Sequence, residues 1–241
     1  MKNVFVLSLS LGFTCLLAGL VLTWANDLTA EPRERARLAE RFAVMRAVFP
    51  ECVFSEETAP ARVSTEYGDF AFFPARQQDG QLVGFAAFGQ SDQGYGGGVR
   101  VMVGLEIDPA AVRQVAVVEH SETPGLGTRV TERREPRRLA DLWRSEPSAP
   151  EPEQQRLPPN QYLDQFAERP VPEQDTFFRL IPADETIRQP RTEVQAVSGA
   201  TVSSQAVVDA VNRTLKAYRQ HQAEILGQAN QAGFTRRNSD K

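Results

Sequence analysis

The stretch "GYGGGVRVMVGLEID", Gly94 to Asp108, decides how the chain is read. A glycine cluster breaks the chain, then Val99, Val101 and Val103 alternate with other residues, the period of a strand with one face inward. The neighbouring segments repeat the texture. "FAFFPARQ" (Phe70–Gln77) and "GQLVGFAAFGQ" (Gly80–Gln90) flank a turn at Asp79–Gly80, and "VRQVAVVEH" (Val112–His120) follows. Connections this short predict antiparallel pairing.

Helices flank these strands. Val207, Ala210, Val211, Leu215 and Tyr218 repeat at helical spacing, so a helix is predicted from near Ser203, fading near Gly227. The fold class is therefore α+β, a mainly antiparallel sheet flanked by helices. Upstream, Thr29 suits an N-cap and Pro32 a first helical turn. Leu38, Phe42, Met45 and Phe49 make an apolar stripe that Pro50 ends. Val4 to Ala25 carries no charge. That length matches the roughly 20 residues a helix needs to cross a bilayer and exceeds a usual signal-peptide core. Trp24 stands where an interfacial aromatic would anchor it. Lys2 precedes the span while Arg33, Arg35 and Arg37 follow it, so charge alone does not assign its orientation.

The expected organisation is an anchor helix (1–25), a membrane-proximal helix and connector (26–60), a domain (61–227) and a loose tail (228–241). The segment 144–160, rich in proline, glutamate and glutamine, reads as an exposed insertion. The net charge of −4 argues against a nucleic-acid surface. Arg133, Arg134, Arg137 and Arg138 read as a solvated patch interleaved with acids. The two cysteines, Cys15 and Cys52, predict no disulfide, and the two distant histidines, His120 and His221, predict no metal site.

Two motifs carry chemistry. In "HSETPGLGTRV" (His120–Val130) a strand ends at a proline-stiffened turn with Gly125 and Gly127, where backbone can approach a flat ligand. In "SGATVSS" (Ser198–Ser204) small residues run into a helix N-terminus, whose unpaired N–H groups suit a phosphate. On physical grounds Thr201 or Ser203 as a helix cap and this turn as a phosphate site both stay open. The lysine of a nucleoside-triphosphate loop is missing.

Together, "ETPGLG", "SGAT" and "GYGG" before "VRVMVGL" resemble the FMN-binding domain of the membrane redox complexes Rnf and Na+-translocating NADH:quinone oxidoreductase. "YLDQF" (Tyr162–Phe166), and the lack of a "GLW" element near the glycine cluster, favour the G subunit of Rnf over the C subunit of the quinone reductase. The resemblance implies a cofactor, FMN, joined covalently to Thr201 by a flavin transferase that uses FAD. Ser198, Gly199 and Ala200, with Val202 and Ser203 after them, would surround the phosphate. Glu122, Thr123, Pro124, Gly125, Leu126 and Gly127 would lie beside the ring, with Tyr95, Gly96 and Gly97 as a second wall. It implies an electron relay rather than a stand-alone catalyst, with no catalytic acid or base. Its partners would be the other complex subunits and the lipid bilayer. The single span would sit in the inner membrane with the domain on the periplasmic side. Gln195 stands where the family usually has Asp, and Gly98 where a proline often follows. The competing readings are the quinone-reductase C subunit, another extracytoplasmic flavoprotein, and an anchor that kept the fold without flavin.

Overall fold

The computed structural model describes residues 2–54, 59–125, 127–131, 133, 157–171 and 177–239. They fall into two compact units, Met1–Phe42 and Ala43–Lys241. The first consists of most of helix α1 (Lys2–Val48). Its apolar side chains from Val6 to Leu28 are exposed. The helix is long and apolar enough to cross a membrane, which suits an anchor. No new helix starts at Thr29: its hydroxyl bonds back to the Ala25 carbonyl at 2.8 Å, and Pro32 lies inside the helix. A threonine in mid-helix satisfies its own hydroxyl in this way, so the cap signal was local and misleading. Leu38, placed on the apolar stripe by spacing, is exposed.

The second unit is built on an antiparallel sheet of seven strands: β1 (Cys52–Val53), β2 (Ala61–Thr65), β3 (Gly68–Gln77), β4 (Leu82–Ser91), β5 (Val99–Glu106), β6 (Ala111–His120) and β7 (Arg169–Pro170). The order is β1-β3-β4-β5-β6-β7, and β2 also pairs with β3. The turn at Asp79–Gly80 joins β3 to β4 as the sequence predicts. A separate parallel pair is formed by β8 (Arg179–Ile181) and β9 (Glu193–Gln195).

Helix α3 (Thr201–Gln220) covers one face of the large sheet. Its predicted stripe is buried, and the Tyr218 ring meets Phe72 and Phe85 with centroids 6.0 and 6.1 Å away. Gly89 permits the close approach: a Cβ there would lie 2.1 Å from Thr214 Oγ1 and 2.7 Å from the Ala210 carbonyl oxygen. Val48 and Phe49 pack on glycines of the opposite face; a Cβ on Gly104 would lie 2.6 Å from Val48 Cγ1. With both faces covered, β5 buries Met102 as well as its three valines, so its alternation does not separate core from solvent. Each such buried side chain contributes about 1.5–3 kcal/mol.

The chain does not loosen after Gly227. Helix α4 (Gln222–Ser239) continues, with Ile225 and Ala229 in the core. Gln228 accepts the Arg62 N–H at 2.9 Å and donates to the Arg62 carbonyl at 3.2 Å. An amide side chain thus satisfies the open edge of β2. The helix runs on past position 227, where the tail was expected to start, and covers a sheet edge that low periodicity did not reveal.

Candidate functional site

Three loops meet at one end of the sheet. Ser91 pairs with Val99, and Val99 with His120. The β4–β5 loop (92–98) and the segment after β6 (121–127) therefore leave the sheet together. Helix α3 runs toward the same end. Its Tyr218 lies on Phe85, while Ala210 and Thr214 lie on Gly89, further along β4. At 1.5 Å per residue, Thr201 stands about 13 Å beyond Ala210 in that direction.

Glu122 joins the first two loops. Its side chain is buried, at 6% exposure. Oε2 accepts the Gly96 N–H at 3.3 Å, and Oε1 is buried without a hydrogen-bond partner among the described residues. The glycines make room for it, since a Cβ on Gly94 would lie 2.6 Å from Oε1. His120 serves the same turn. Its Nδ1 accepts the Glu122 N–H at 3.3 Å. Thr123, Pro124 and Gly125 are exposed and Gly127 is buried; Tyr95 is 72% exposed. Leu126 lies outside the described residues. Thr128 opens the short helix α2 (Thr128–Thr131) and accepts the Gly125 N–H on its hydroxyl at 2.9 Å.

The third loop is a β-turn. The Ala200 N–H donates to the Val197 carbonyl at 2.9 Å. Gly199 sits at φ +79°, which an L side chain rarely adopts. Ala200 takes the N-cap position and has no side chain to cap with. No side chain at position 200 thus competes for the first-turn N–H groups. Neither Thr201 nor Ser203 is the cap. Ser198, Gly199, Thr201 and Val202 are exposed. Ser203 and Ser204 are 1% and 0% exposed. Thr201 is therefore the accessible hydroxyl of that turn of helix.

A cavity of about 290 Å3 lies between Thr128–Arg129, Pro159–Tyr162 and Val197. It touches the last residues of the first motif and the residue before the second. Its wall is braced by the segment 157–166, which ends in a 3-10 turn (Leu163–Phe166). Asn160 Oδ1 accepts the N–H groups of Tyr162 and Leu163. Asp164 pairs with Arg133 at 2.8 Å, and Arg133 also donates to the carbonyls of Pro158 and Val115. Arg133 is thus buried, not part of a solvated patch. Arg134, Arg137 and Arg138 lie outside the described residues, as do positions 144–156 of the expected insertion. Gln165 pairs with the backbone of Gln195: its Oε1 accepts the N–H at 2.8 Å and its Nε2 donates to the carbonyl at 3.1 Å. Gln195 in turn donates its amide to the carbonyls of Ala183 and Glu185, each at 2.8 Å. A carboxylate cannot make those two bonds. Burial pushes the Tyr162 phenol up, out of its ordinary range.

Composition alone concealed Asn160, Tyr162, Gln165, Arg133 and Ser204, because each acts through partners distant in sequence. The spacing in "YLDQF" was visible; what it does was not. The residues present fit a flavin nucleotide: an uncapped helix start, an exposed hydroxyl, an adjoining cavity and a buried carboxylate oxygen with no partner among the described residues.

The chain has relatives among known redox-complex subunits. The G subunit of the ion-translocating oxidoreductase complex of Cereibacter sphaeroides is 25% identical, over 92% of this chain and 87% of the relative. The G subunit of the Na(+)-translocating ferredoxin:NAD(+) oxidoreductase complex of Acetobacterium woodii is 23% identical, over 90% and 93%. The crystal structure of Shewanella oneidensis NqrC aligns with 74% of this chain and 71% of its own, at 19% identity and a TM-score of 0.47. The FMN-binding domain profile matches residues 94–216, a range that takes in the motifs of all three loops. The chain belongs to the FMN-binding domain family.

Proposed function

We propose that this chain is the membrane-anchored, electron-transferring G subunit of an Rnf-type ion-translocating oxidoreductase, with FMN attached covalently to Thr201. One observation carries the attachment site. Within the matched domain, the first turn of α3 offers one exposed hydroxyl, Thr201, while Ser203 and Ser204 are buried. When bound, FMN supplies one- and two-electron redox chemistry, and the protein supplies position and electrostatics. In attachment, Thr201 Oγ forms a bond to the flavin-side phosphorus of FAD. The pyrophosphate bond breaks, AMP leaves with the electron pair, and the hydroxyl proton passes to a base of the flavin transferase. The diester keeps one negative charge, which the helix start stabilises by about 0.3–1 kcal/mol. Ser198, Gly199 and Val202 would border that phosphate. Glu122, Thr123, Pro124, Gly125 and Gly127 would lie toward the ring, with Tyr95 to Gly97 as the facing wall.

The apolar stretch of α1 anchors the chain in the inner membrane, and the domain faces the periplasm. A covalent tether suits that side, where a dissociated cofactor is lost. Electrons enter and leave through the other subunits of the complex. The test is coexpression of the full chain with a flavin transferase, followed by a denaturing gel viewed under ultraviolet light. A fluorescent band that is dark in Thr201→Val is the expected result. Dark bands in both favour a flavin-free anchor and overturn the proposal.

A further inference from the structure

We propose that Ser204, itself held by Tyr162, is the positioning residue of the flavin acceptor turn; this rests on Thr201 being the attachment site. Ser204 Oγ accepts the Val197 N–H at 3.1 Å and donates to the Ala200 carbonyl at 2.9 Å. One hydroxyl therefore ties the first residue of the β-turn to its last, immediately before Thr201. The bond to Ala200 alone would be the ordinary back-bond of a serine in a helix. The bond from Val197 is not; it reaches outside the helix and closes the turn on itself.

The tie is fixed from the other side. The Tyr162 hydroxyl donates to the Ser204 carbonyl at 2.6 Å, and Tyr162 is buried. Asn160 Oδ1 takes the Tyr162 N–H at 2.9 Å, which fixes the backbone, and the buried ring packs edge-on to Phe166 with centroids 5.8 Å apart. Val197, which Ser204 holds, also lines the cavity. The hydroxyl thus sets the backbone between the cavity wall and the acceptor oxygen. Holding a nucleophile in a reactive geometry raises a rate without changing how tightly the partner binds. Ser204 is not itself the site of flavin attachment, because it is buried and its hydrogen is already donated.

The experiment is transferase-catalysed flavin transfer from FAD to the purified full-length chain in detergent, with initial rates measured against chain concentration. The wild type is compared with Ser204→Ala, Ser204→Thr and Tyr162→Phe. Losing one buried hydrogen bond that orients the reacting group lowers kcat by about tenfold in Ser204→Ala. The KM for the chain stays within about twofold of wild type, since the surface that the transferase meets is untouched. Ser204→Thr, which keeps the hydroxyl, restores most of the rate, and Tyr162→Phe lowers kcat with KM unchanged. A wild-type kcat in Ser204→Ala or in Tyr162→Phe overturns the proposal. So does an equal loss in the Ala and Thr variants, which would assign the effect to packing. If Ser204→Ala does not fold, Tyr162→Phe decides alone. Failure of the parent reading looks different: the wild type takes no label, or Thr201→Val takes as much as the wild type.

Discussion

The carboxylate of Glu122 occupies the space in which a side chain at Gly127 would have to sit: a Cβ there would lie 2.3 Å from Oε2 and 2.8 Å from the Glu122 Cβ. The backbone of one loop and the side chain of the same loop are thus mutually exclusive claims on one volume. Gly127→Ala must displace Glu122 and break its bond from Gly96. We expect a loss of about 1–3 kcal/mol, as for other overpacked sites, read from the urea midpoint of the full chain.

Removing the carboxylate is a separate experiment. Glu122→Ala leaves Thr201 and its turn intact, so covalent attachment is retained. The buried carboxyl group beside the loop is lost, and the flavin midpoint potential shifts. An unchanged potential would place the ring away from Glu122.

Thr201 is exposed. Its replacement by Val should change stability by no more than about 0.5 kcal/mol, the range of ordinary surface substitutions. Thr201→Ser should keep the fluorescent band on a denaturing gel, and Thr201→Val should lose it with the melting midpoint unchanged. Fluorescence surviving in Thr201→Val would move the attachment to another hydroxyl.

Glu193 gives the domain an acid limit. Its carboxylate accepts the N–H groups of Gln189 and Arg188, then the Arg179 guanidinium, and these hold it below its ordinary value of 4.5. A depressed carboxylate contributes stability above the unfolded value and loses it as pH falls through the folded one. The stability gap between wild type and Glu193→Gln should be full above about pH 5.5 and shrink below pH 4.5. Urea midpoints of both chains from pH 7 to 3 would check this. A gap that does not change with pH would show that Glu193 acts by shape alone.

Cys52 should resist alkylation. Burial, with Glu51 beside it, pushes its thiol up to about 11, against an opposing pull from Arg113. At pH 8 roughly one thiol in a thousand is ionised, and it is buried as well. In a Cys15→Ser chain, iodoacetamide should label Cys52 slowly until urea unfolds the domain, then at the rate of an ordinary thiol. Rapid labelling of the folded chain would contradict the burial.

Local pattern and tertiary partnership explain what the sequence revealed. The strands from Phe70 to His120 and the stripe Val207 to Tyr218 were legible because burial on a sheet or a helix leaves a period. The turn before α3 was legible as small residues running into a helix, whereas Thr201 was singled out only by the resemblance. Thr29 misled, because a mid-helix threonine and an N-cap look alike in sequence. Arg133 misled because its neighbours are charged, while its own partners, Val115, Pro158 and Asp164, are far along the chain. The continuation of α4 was missed because its value lies in covering β2, which no periodicity records. The role of Ser204 was hidden for the same reason: Val197 and Tyr162 meet it only in the fold.

The Arg133 guanidinium donates to the Pro158 carbonyl at 2.7 Å, and this fixes more than a cavity wall. The clasp draws together two points 25 residues apart in sequence. With the Asp164 carboxylate on the same guanidinium, one side chain holds chain-distant backbone at a set spacing, as strand pairing does elsewhere in the domain.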